Sequence, residues 1–261
     1  MDHVEIGGFE ALIDKNLNFI YTDQELTTMF NEVKNIVDNA GIDIWSIHMP
    51  GVSYTDLSTK DENTRLSVVE MHLKMLDFIK ILEPKIILFH ASHLVSPNER
   101  EFRKQQAVKS ANVLNTKVMQ MKATMVFENG GANTSVINGM TASTFPRTID
   151  EILEFMNRLP LSIGFAVDMN HISEPHKLVL ALRDRLKSVH ISDGDGSTRC
   201  FHYFPCSGEG ENDWVKILAS LNEVNYRGPF MYECHYDDEK DLVECYEYLF
   251  LKYQNRLKNI K

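Results

Sequence analysis

Short, continuous apolar runs recur along the chain, and stretches of mixed polarity separate them. Runs of this kind are typical of parallel strands whose outer face is covered by helices. Clear examples are “IILF” at 86–89, “MVF” at 125–127 and “GFAV” at 164–167. Between the runs, apolar residues recur at spacings of three and four, which predicts helices with one apolar face. In the predicted helix over 62–83 these residues are Leu66, Val69, Leu73, Leu76 and Ile79.

The boundaries of these segments support an alternation of strands and helices. Thr22 and Glu25 fit a capping box at the start of a helix, and Gly41 fits its end. The pattern predicts eight strands, and helices separate all of them except the sixth from the seventh. In chain order the predicted strands are “HVEIGG”, “IDIWSIHMP”, “KIILFHAS”, “ATMVFENG”, “IGFAVDMNH”, “LKSVHISDGDG”, “RCFHYFPCSGEG” and “PFMYECHY”.

Such an alternation is compatible with a (β/α)8 TIM barrel or with an open, doubly wound sheet. No Gly-x-Gly-x-x-Gly motif follows the first strand, so a dinucleotide-binding sheet has little support. A barrel needs eight strands, which is the number predicted, and the 261 residues contain no linker-like or repeated segment. We therefore predict an α/β protein with a single parallel, eight-stranded TIM-barrel domain over residues 1–261. Its connection between strands six and seven is reduced.

The charge balance is acidic, with 27 Lys and Arg residues against 37 Asp and Glu residues and a formal net charge of -10. Proteins that mainly contact nucleic acid backbones usually have a basic excess, so this balance disfavours such a partner. It also provides no attraction to anionic membranes, and no signal peptide or membrane span is recognisable.

The cysteines are too localised to serve as a disulfide framework for the whole fold. All four lie in the last quarter of the chain and no Cys-x-x-Cys motif occurs; they are Cys200, Cys206, Cys234 and Cys245. This distribution favours a reducing compartment, and we predict a cytoplasmic protein.

Histidines and carboxylates stand at or just beyond the ends of predicted strands two to eight. In order they are His48, His90, His93, Glu128, Asp168, His171, His190, Asp193, His202, Glu233 and His235. In a barrel, the carboxyl ends of all strands meet at one rim, where catalytic groups lie. Carboxylates gathered there would repel each other, and a divalent cation would neutralise them and accept the imidazole lone pairs. The pattern therefore predicts a metal site at the rim.

Each of these residues also has a structural interpretation when it is taken alone. His93 and His235 fit hydrogen-bonded loop residues, and Asp193 fits an Asx turn as well as it fits a ligand. A glutamate behind a strand could cap the next helix. If all of these interpretations were correct, histidines or carboxylates would follow the carboxyl ends of seven predicted strands by chance. We therefore favour the metal site.

Several short motifs between Ile47 and His235 occur in the order known from one family. They are “IHMP”, “LFHASH”, “FENG”, “DMNH”, “VHISD”, “PCSGEGENDW” and “YECH”. On these motifs the chain resembles the xylose isomerase-like TIM barrel superfamily of sugar phosphate isomerases and epimerases, which also includes endonuclease IV. The resemblance implies a shared metal site at Glu128, Asp168, His190 and Glu233. It further implies that the two glutamates form the acid/base pair.

The resemblance also implies supporting or substrate-binding roles at the rim. The residues that would have these roles are His48, His90, His171, His202 and Arg199. The endonuclease branch holds three zinc ions, and its extra histidines match His48, His90 and His171. Its seventh strand carries Asp-x-His, whereas this chain has Cys200, Phe201 and His202 at the best counterpart. The missing aspartate and the acidic net charge disfavour a trinuclear site.

We therefore predict a divalent-metal-dependent isomerase or epimerase of a sugar, sugar phosphate or related polyol-ketone that acts through an enediolate. Mixed carboxylate and imidazole ligands suit a single Mn, Mg, Co or Zn ion. Two alternatives stay open, namely an endonuclease IV-like phosphodiesterase acting on abasic DNA and a non-catalytic barrel that binds sugar or metal. The predicted partner is a small sugar, with no nucleic acid and no membrane, and barrels of this kind often pair as homodimers.

Overall fold

A parallel sheet that curves into a nearly closed barrel forms the centre of the protein. The structure is a computed structural model that describes residues 2–131, 134–137, 139–194 and 201–258. In chain order its strands are β1 (His3–Ile6), β2 (Asp43–His48), β3 (Ile86–Phe89), β4 (Thr124–Glu128), β5 (Thr134–Ile137), β6 (Met140–Ser143), β7 (Gly164–Asp168), β8 (Leu186–Ile191) and β9 (Met231–Tyr232). Seven of these described strands form the barrel in the order β1-β2-β3-β4-β7-β8-β9, with parallel pairing throughout.

A helix follows every barrel strand before the next one begins. In chain order these helices are α1 (Asp23–Ala40), α2 (Glu62–Ile79), α3 (Arg100–Gln120), α4 (Ile149–Asn157), α5 (Pro175–Leu182), α6 (Trp214–Glu223) and α7 (Glu239–Lys258). The predicted TIM-barrel fold is confirmed. The predicted ends of α1 are confirmed as well, because Thr22 and Glu25 form a reciprocal capping box and Gly41 adopts a left-handed conformation with φ of 67°.

The segment predicted as the seventh strand forms part of the loop between β8 and α6. Within residues 201–206, the described contribution to pairing is an isolated antiparallel bridge between Tyr203 and Asp193. β9 pairs directly with β8, with Met231 opposite His190. The described barrel is therefore a sevenfold repeat of strand and helix, and Arg199 and Cys200 lie outside the described residues.

The hairpin β5–β6 follows β4, and the apolar pattern gave no prediction for it. The two strands pair antiparallel, and Ser143 also bridges Val95 in the loop after β3. The guanidinium of Arg100 donates to the carbonyl oxygens of Ser143 and Thr144 and pairs with Glu151 on α4. The hairpin residues Thr134–Ile137 are exposed, so their sequence carries no core-facing alternation that could reveal a strand.

Alternation along the barrel strands divides their side chains between two cores. Ile86, Leu88, Val126 and Ala166 form a small cluster inside the barrel. Their immediate neighbours along the strands belong to the larger core between the sheet and the helices, for example Ile87, Phe89, Phe127, Phe165 and Val167. Because both faces of β3, β4 and β7 are buried, these strands read as continuous apolar runs, as expected for a covered parallel sheet.

One disulfide, between Cys206 and Cys245, joins the loop before α6 to α7. This disulfide was not predicted from the sequence, since the two cysteines are 39 residues apart and nothing in their spacing indicates that they meet. Cys234 is a free thiol. No helix in the described ranges combines the length and the apolarity that crossing a bilayer requires.

We predict that His72 on α2 makes the protein sensitive to acid. The ring is fully buried against Phe89, its Nε2 donates to the carbonyl oxygen of Thr55 at 3.4 Å, and burial lowers its pKa from 6.5 to about 4. Between these two values the unfolded chain holds a proton at this residue that the folded chain excludes, so stability falls as pH falls. The full effect is about 3 kcal/mol at pH 4.

The measurement is urea unfolding of the wild type and of His72→Gln between pH 7.5 and 4.5. Glutamine keeps a donor for Thr55 but cannot be protonated. The wild type should lose more unfolding free energy than the variant on acidification, with a difference that grows below pH 6.5. Parallel stability curves for the two proteins would contradict the assignment.

Candidate metal centre

The alternation inside the barrel explains why charged groups from separate strands point to one rim. On β4, Val126 is in the interior cluster, and Glu128 lies two residues further along. On β7 the same relation holds for Ala166 and Asp168. Residues two apart on a strand share a face, so these two carboxylates continue the interior rows at the carboxyl ends of their strands. His190, which pairs with Asp168 in the strand register, occupies the equivalent place on β8.

The other three predicted metal ligands come together around His190. Its Nδ1 lies 2.9 Å from Glu128 Oε1 and 2.5 Å from Glu233 Oε2. One ligand atom from each of Glu128, Asp168, His190 and Glu233 lies within 4.8 Å of the others. The first three are buried, whereas the side chain of Glu233, just past β9, is 37 % exposed. The structure therefore assembles the residues that the resemblance assigned to the shared metal site.

A fourth acidic residue at this site was not predicted from the sequence. Glu5 on β1 places its Oε2 3.1 Å from Nε2 of His190, on the opposite side of the ring from Glu128 and Glu233. The hydroxyl of Ser46 on β2 donates to the same carboxylate oxygen. A signal for Glu5 was present, because a carboxylate in the middle of the strand “HVEIGG” has to face the barrel interior or the helical core.

The site attracts positive charge. Burial opposes ionisation of Glu128, but the neighbouring His190 and His48 hold its pKa well below the usual range. Burial also opposes charging of His190, yet Glu5, Glu233 and Glu128 raise its pKa well above the ordinary value. The pKa of Asp168 is raised by burial and then by repulsion from Glu233 and Glu128, partly offset by His171. Without a further cation, protons must balance this cluster of carboxylates.

The contacts of two histidines identify where such a cation would bind. Nδ1 of His171 lies 2.9 Å from the carbonyl oxygen of Asn129, which can only accept, so Nδ1 carries the hydrogen. Nε2 of a neutral His171 then presents a lone pair to Asp168 Oδ2 at 3.2 Å. That carboxylate oxygen is buried and accepts no hydrogen bond from the described residues. Two facing acceptors at this distance require a proton or a metal ion between them.

His48 repeats the arrangement. Its Nδ1 lies 3.2 Å from the carbonyl oxygen of Met49, and its Nε2 lies 3.6 Å from Glu128 Oε2. Metal-binding histidines usually donate their second ring N–H to a carbonyl or carboxylate in this way. The donor set, the buried acceptor on Asp168 and the oriented rings thus fit a divalent metal ion.

Glu128, Asp168, His190 and Glu233 form the central group of the site. The remaining predicted histidines extend the site on both sides of this central group. The rings of His48 and His90 lie close together, with centroids 4.9 Å apart and planes tilted by 51°, and the two residues form a second group with Glu128. Nε2 of His90 lies 3.5 Å from Glu128 Oε2, while burial lowers the pKa of His90 to about 4. On the other side, His171 and His202 form a third group with Asp168. Each of these two groups shares one carboxylate with the central group.

Three residues with competing interpretations can be placed by their contacts. The backbone N–H of His93 donates to Asp56 Oδ2 at 3.0 Å, and none of the metal-compatible groups among the described residues includes His93. Asp193 accepts from the backbone of Gly194 and from Trp214 Nε1, so it stabilises the turn that leads to α6. His235 donates its backbone N–H to the carbonyl oxygen of His202.

The fold and this geometry can be compared with known proteins. The family model for the xylose isomerase-like TIM barrel matches residues 3–250. The chain belongs to this family. The resemblance inferred from the motifs is thereby confirmed, and it extends over almost the whole chain.

Solved structures that resemble this barrel include three epimerases or epimerase-like proteins. A D-tagatose 3-epimerase-like protein superposes with a TM-score of 0.77 at 16% identity, covering 98% of this chain and 91% of that one. The 3-keto-D-glucoside 4-epimerase from E. coli gives 0.67 at 17% identity, with 98% and 99% covered. A D-psicose 3-epimerase gives 0.68 at 16% identity, with 91% and 76% covered. At these identities the likeness shows the shared fold. No curated protein sequence matches the chain.

We predict that Asp168→Asn removes metal binding without destabilising the metal-free protein. The amide keeps an oxygen for the hydrogen bonds that Oδ1 accepts from Asn170 and Ser192, but it removes a buried charge that Glu128 and Glu233 repel. Wild type with Mn²⁺ at 100 times its Kd should gain about 2.7 kcal/mol of unfolding free energy. The variant should gain none, and its metal-free stability should equal or exceed that of the wild type.

The measurement is thermal unfolding with EDTA and with added Mn²⁺. The matched control is Asp193→Asn, which removes a carboxylate at the next strand end that supports the loop instead. That control should lose stability and keep its response to Mn²⁺. A full metal response in Asp168→Asn would exclude Asp168 as a ligand.

Proposed function

We propose that this protein is a divalent-metal-dependent epimerase or isomerase of a sugar, sugar phosphate or related polyol-ketone. The observation that carries the proposal is the approach of two glutamates to one edge of His190. Glu128 from β4 and Glu233 from beyond β9 both contact Nδ1 of that ring. Epimerisation needs one group that removes a proton from a substrate carbon and a second group that returns a proton to it. Two carboxylates beside one metal site can fill these two roles.

The environments of the two glutamates suit them to this chemistry. Glu128 is 1 % exposed and Glu233 is 37 % exposed, so Glu233 can reach a ligand that enters the rim. A divalent ion held by Glu128, Asp168, His190 and Glu233 would polarise a substrate carbonyl and stabilise the negative charge that develops on its oxygen. Burial opposes ionisation of both glutamates, but His190 lowers the pKa of each, so either one can serve as the ionised base.

The proposed reaction transfers a proton and changes no oxidation state overall. One of the two glutamates removes the proton from the carbon next to the substrate carbonyl, which gives an enediolate. The other, which must carry a proton when the substrate binds, returns that proton to the opposite face of that carbon in an epimerisation, or to the neighbouring carbon in an isomerisation, and exchange with water then restores both glutamates. His48, His90, His171 and His202 lie around the same rim and would contact the substrate or orient the charged groups.

The known epimerases with this fold support the choice of substrate class. Two of the structures described above are a D-psicose 3-epimerase and a 3-keto-D-glucoside 4-epimerase. We extend the proposal to one barrel domain, a homodimeric assembly and a cytoplasmic location, which stay predictions from the sequence. The disulfide between Cys206 and Cys245 is a bond that a reducing compartment disfavours, so in the cytoplasm we expect the reduced form of these cysteines.

We predict that Glu233→Gln abolishes proton exchange at the substrate carbon. The change removes a base and also a charged ligand, so exchange should fall roughly 100-fold or more. The measurement is NMR of D-fructose, D-tagatose and D-psicose incubated with Mn²⁺-loaded protein in heavy water. Deuterium should enter next to the carbonyl with the wild type and with the control Glu209→Gln, which changes an exposed loop carboxylate.

Each result of this experiment has a definite meaning. Undiminished exchange by Glu233→Gln would remove Glu233 from the mechanism. Metal binding by the wild type without exchange on any tested ketose would instead favour a barrel that binds sugar or metal without turning it over.

A second candidate function is metal-dependent phosphodiester cleavage, and one observation favours it. The described residues contain three metal-compatible groups, because His48 with His90 and His171 with His202 flank the central group. Several metal ions close together can stabilise both the attacking and the leaving oxygen of a phosphodiester. The acidic net charge of -10 argues against a DNA substrate.

We predict about one tightly bound divalent ion per chain, because the epimerase mechanism needs only the central group. Elemental analysis of protein dialysed against a metal mixture measures this number directly. His90→Ala and His93→Ala form a matched pair three residues apart, and neither change should alter the count. Three tightly held ions in the wild type, with a loss in His90→Ala alone, would favour the phosphodiesterase.

A further inference from the structure

Glu5 contacts Nε2 of His190, whereas Glu128 and Glu233 contact Nδ1 of the same ring. Its side chain is 14 % exposed, and its Oε2 lies 3.1 Å from Nε2 of His190. Ser46, its register partner on β2, holds the same carboxylate oxygen with its hydroxyl. Glu5 is therefore fixed by the neighbouring strand and contacts the edge of His190 that faces away from Glu128 and Glu233.

Carboxylate oxygens face both ring nitrogens of His190, Glu128 and Glu233 at Nδ1 and Glu5 at Nε2. A divalent ion held by Glu128, Asp168 and Glu233 would take the Nδ1 side, so the one hydrogen of a neutral ring belongs on Nε2, where the Glu5 oxygen can only accept it. Nδ1 then directs its lone pair toward Glu128 Oε1 and Glu233 Oε2, which belong to residues of the central metal group. With the hydrogen on Nδ1, the same ring would point an N–H at the metal position.

The partner of His190 also differs in charge from the partners of the other oriented rings. Nδ1 of His48 and Nδ1 of His171 contact neutral backbone carbonyl oxygens. Among the described residues, His190 is the histidine of the central group. Its Nε2 contacts a charged carboxylate, that of Glu5. Hydrogen bonds to charged acceptors are about twice as strong as neutral ones and make the opposite nitrogen a better donor to a metal.

We propose that Glu5 is a positioning residue that fixes the tautomer of His190 and strengthens it as a ligand for the divalent ion. Glu5 does not itself contact the ion, because the imidazole ring separates it from the central group. The inference rests on the proposed function only in taking Glu128, Asp168, His190 and Glu233 as the metal ligands. It requires no particular sugar and no catalytic turnover.

The main test is Mn²⁺ affinity of the metal-free full chain, measured by the electron paramagnetic resonance signal of free Mn²⁺ without any sugar. Glu5→Gln preserves the shape of the side chain but removes its charge. We expect its Kd to rise roughly 10- to 100-fold. Glu10→Gln, an exposed change in the same N-terminal segment, should bind Mn²⁺ like the wild type.

A spectroscopic measurement separates positioning from a general loss of structure. In the Zn²⁺-loaded wild type labelled with ¹⁵N-histidine, His190 should show a protonated Nε2 and a non-protonated Nδ1. In Glu5→Gln the Nε2 proton should exchange faster with solvent, while the signals of His72 stay in place. His72 lies on α2, away from the site, and reports on the intact core.

If Glu5→Gln does not fold, Ser46→Ala provides a second test of whether Glu5 positions His190 for metal binding. It leaves Glu5 charged but removes the hydroxyl that orients it, so the Mn²⁺ Kd should rise in the same direction by a smaller factor, in a protein that still unfolds in one cooperative transition. A folded Glu5→Gln with wild-type affinity and an unchanged His190 spectrum would overturn the proposal. So would wild-type affinity in Ser46→Ala when Glu5→Gln does not fold. Absence of sugar exchange in the wild type would refute the proposed function and leave this inference standing.

Discussion

The approach of four carboxylates to one buried imidazole is the constraint on which this structure depends. Glu5, Glu128 and Glu233 contact the two nitrogens of His190, and Asp168 lies in the same group. Charges this close repel each other and have little water to screen them, so the arrangement is stable only with added positive charge. The need for protons or a cation at this site is thus a property of the folded chain itself.

Barrel geometry creates this constraint from residues that are far apart in sequence. Parallel strands deliver their carboxyl ends to one rim, and the two-residue period sends Glu128 and Asp168 inward along with Val126 and Ala166. Phe127 and Val167, the residues next to them, pack into the outer core. The helices that cover the sheet therefore hold the charged groups in place by packing against the opposite face of the same strands.

The partners behind the histidines explain how the rim is ordered before any ligand arrives. The carbonyl oxygens of Met49 and Asn129 fix His48 and His171, and Glu5 fixes His190. Each partner sits on the side of the ring that faces away from the site carboxylates, so lone pairs point to the places where a cation would bind. A rim prepared in this way spends little free energy on reorganisation when a metal or a substrate binds.

Much of the fold and most of the candidate site followed from local pattern. Apolar runs, helical spacing and the capping box of α1 are set by neighbouring residues, so the barrel and the rim positions of Glu128, Asp168 and His190 could be predicted. Hairpin β5–β6 could not, because its exposed strand β5 lacks the burial that creates alternation. The predicted seventh strand was a strand-like run that the fold uses as the loop before α6.

By itself the sequence determined which residues end the strands and what chemistry they carry. The tertiary structure decided which of them meet. It brought Glu5 from the first strand to the far edge of His190, directed His90 rather than His93 toward Glu128, and turned Asp193 to the loop before α6. It also joined Cys206 to Cys245. These outcomes depend on strand register and barrel closure, which bring together residues that no local pattern relates.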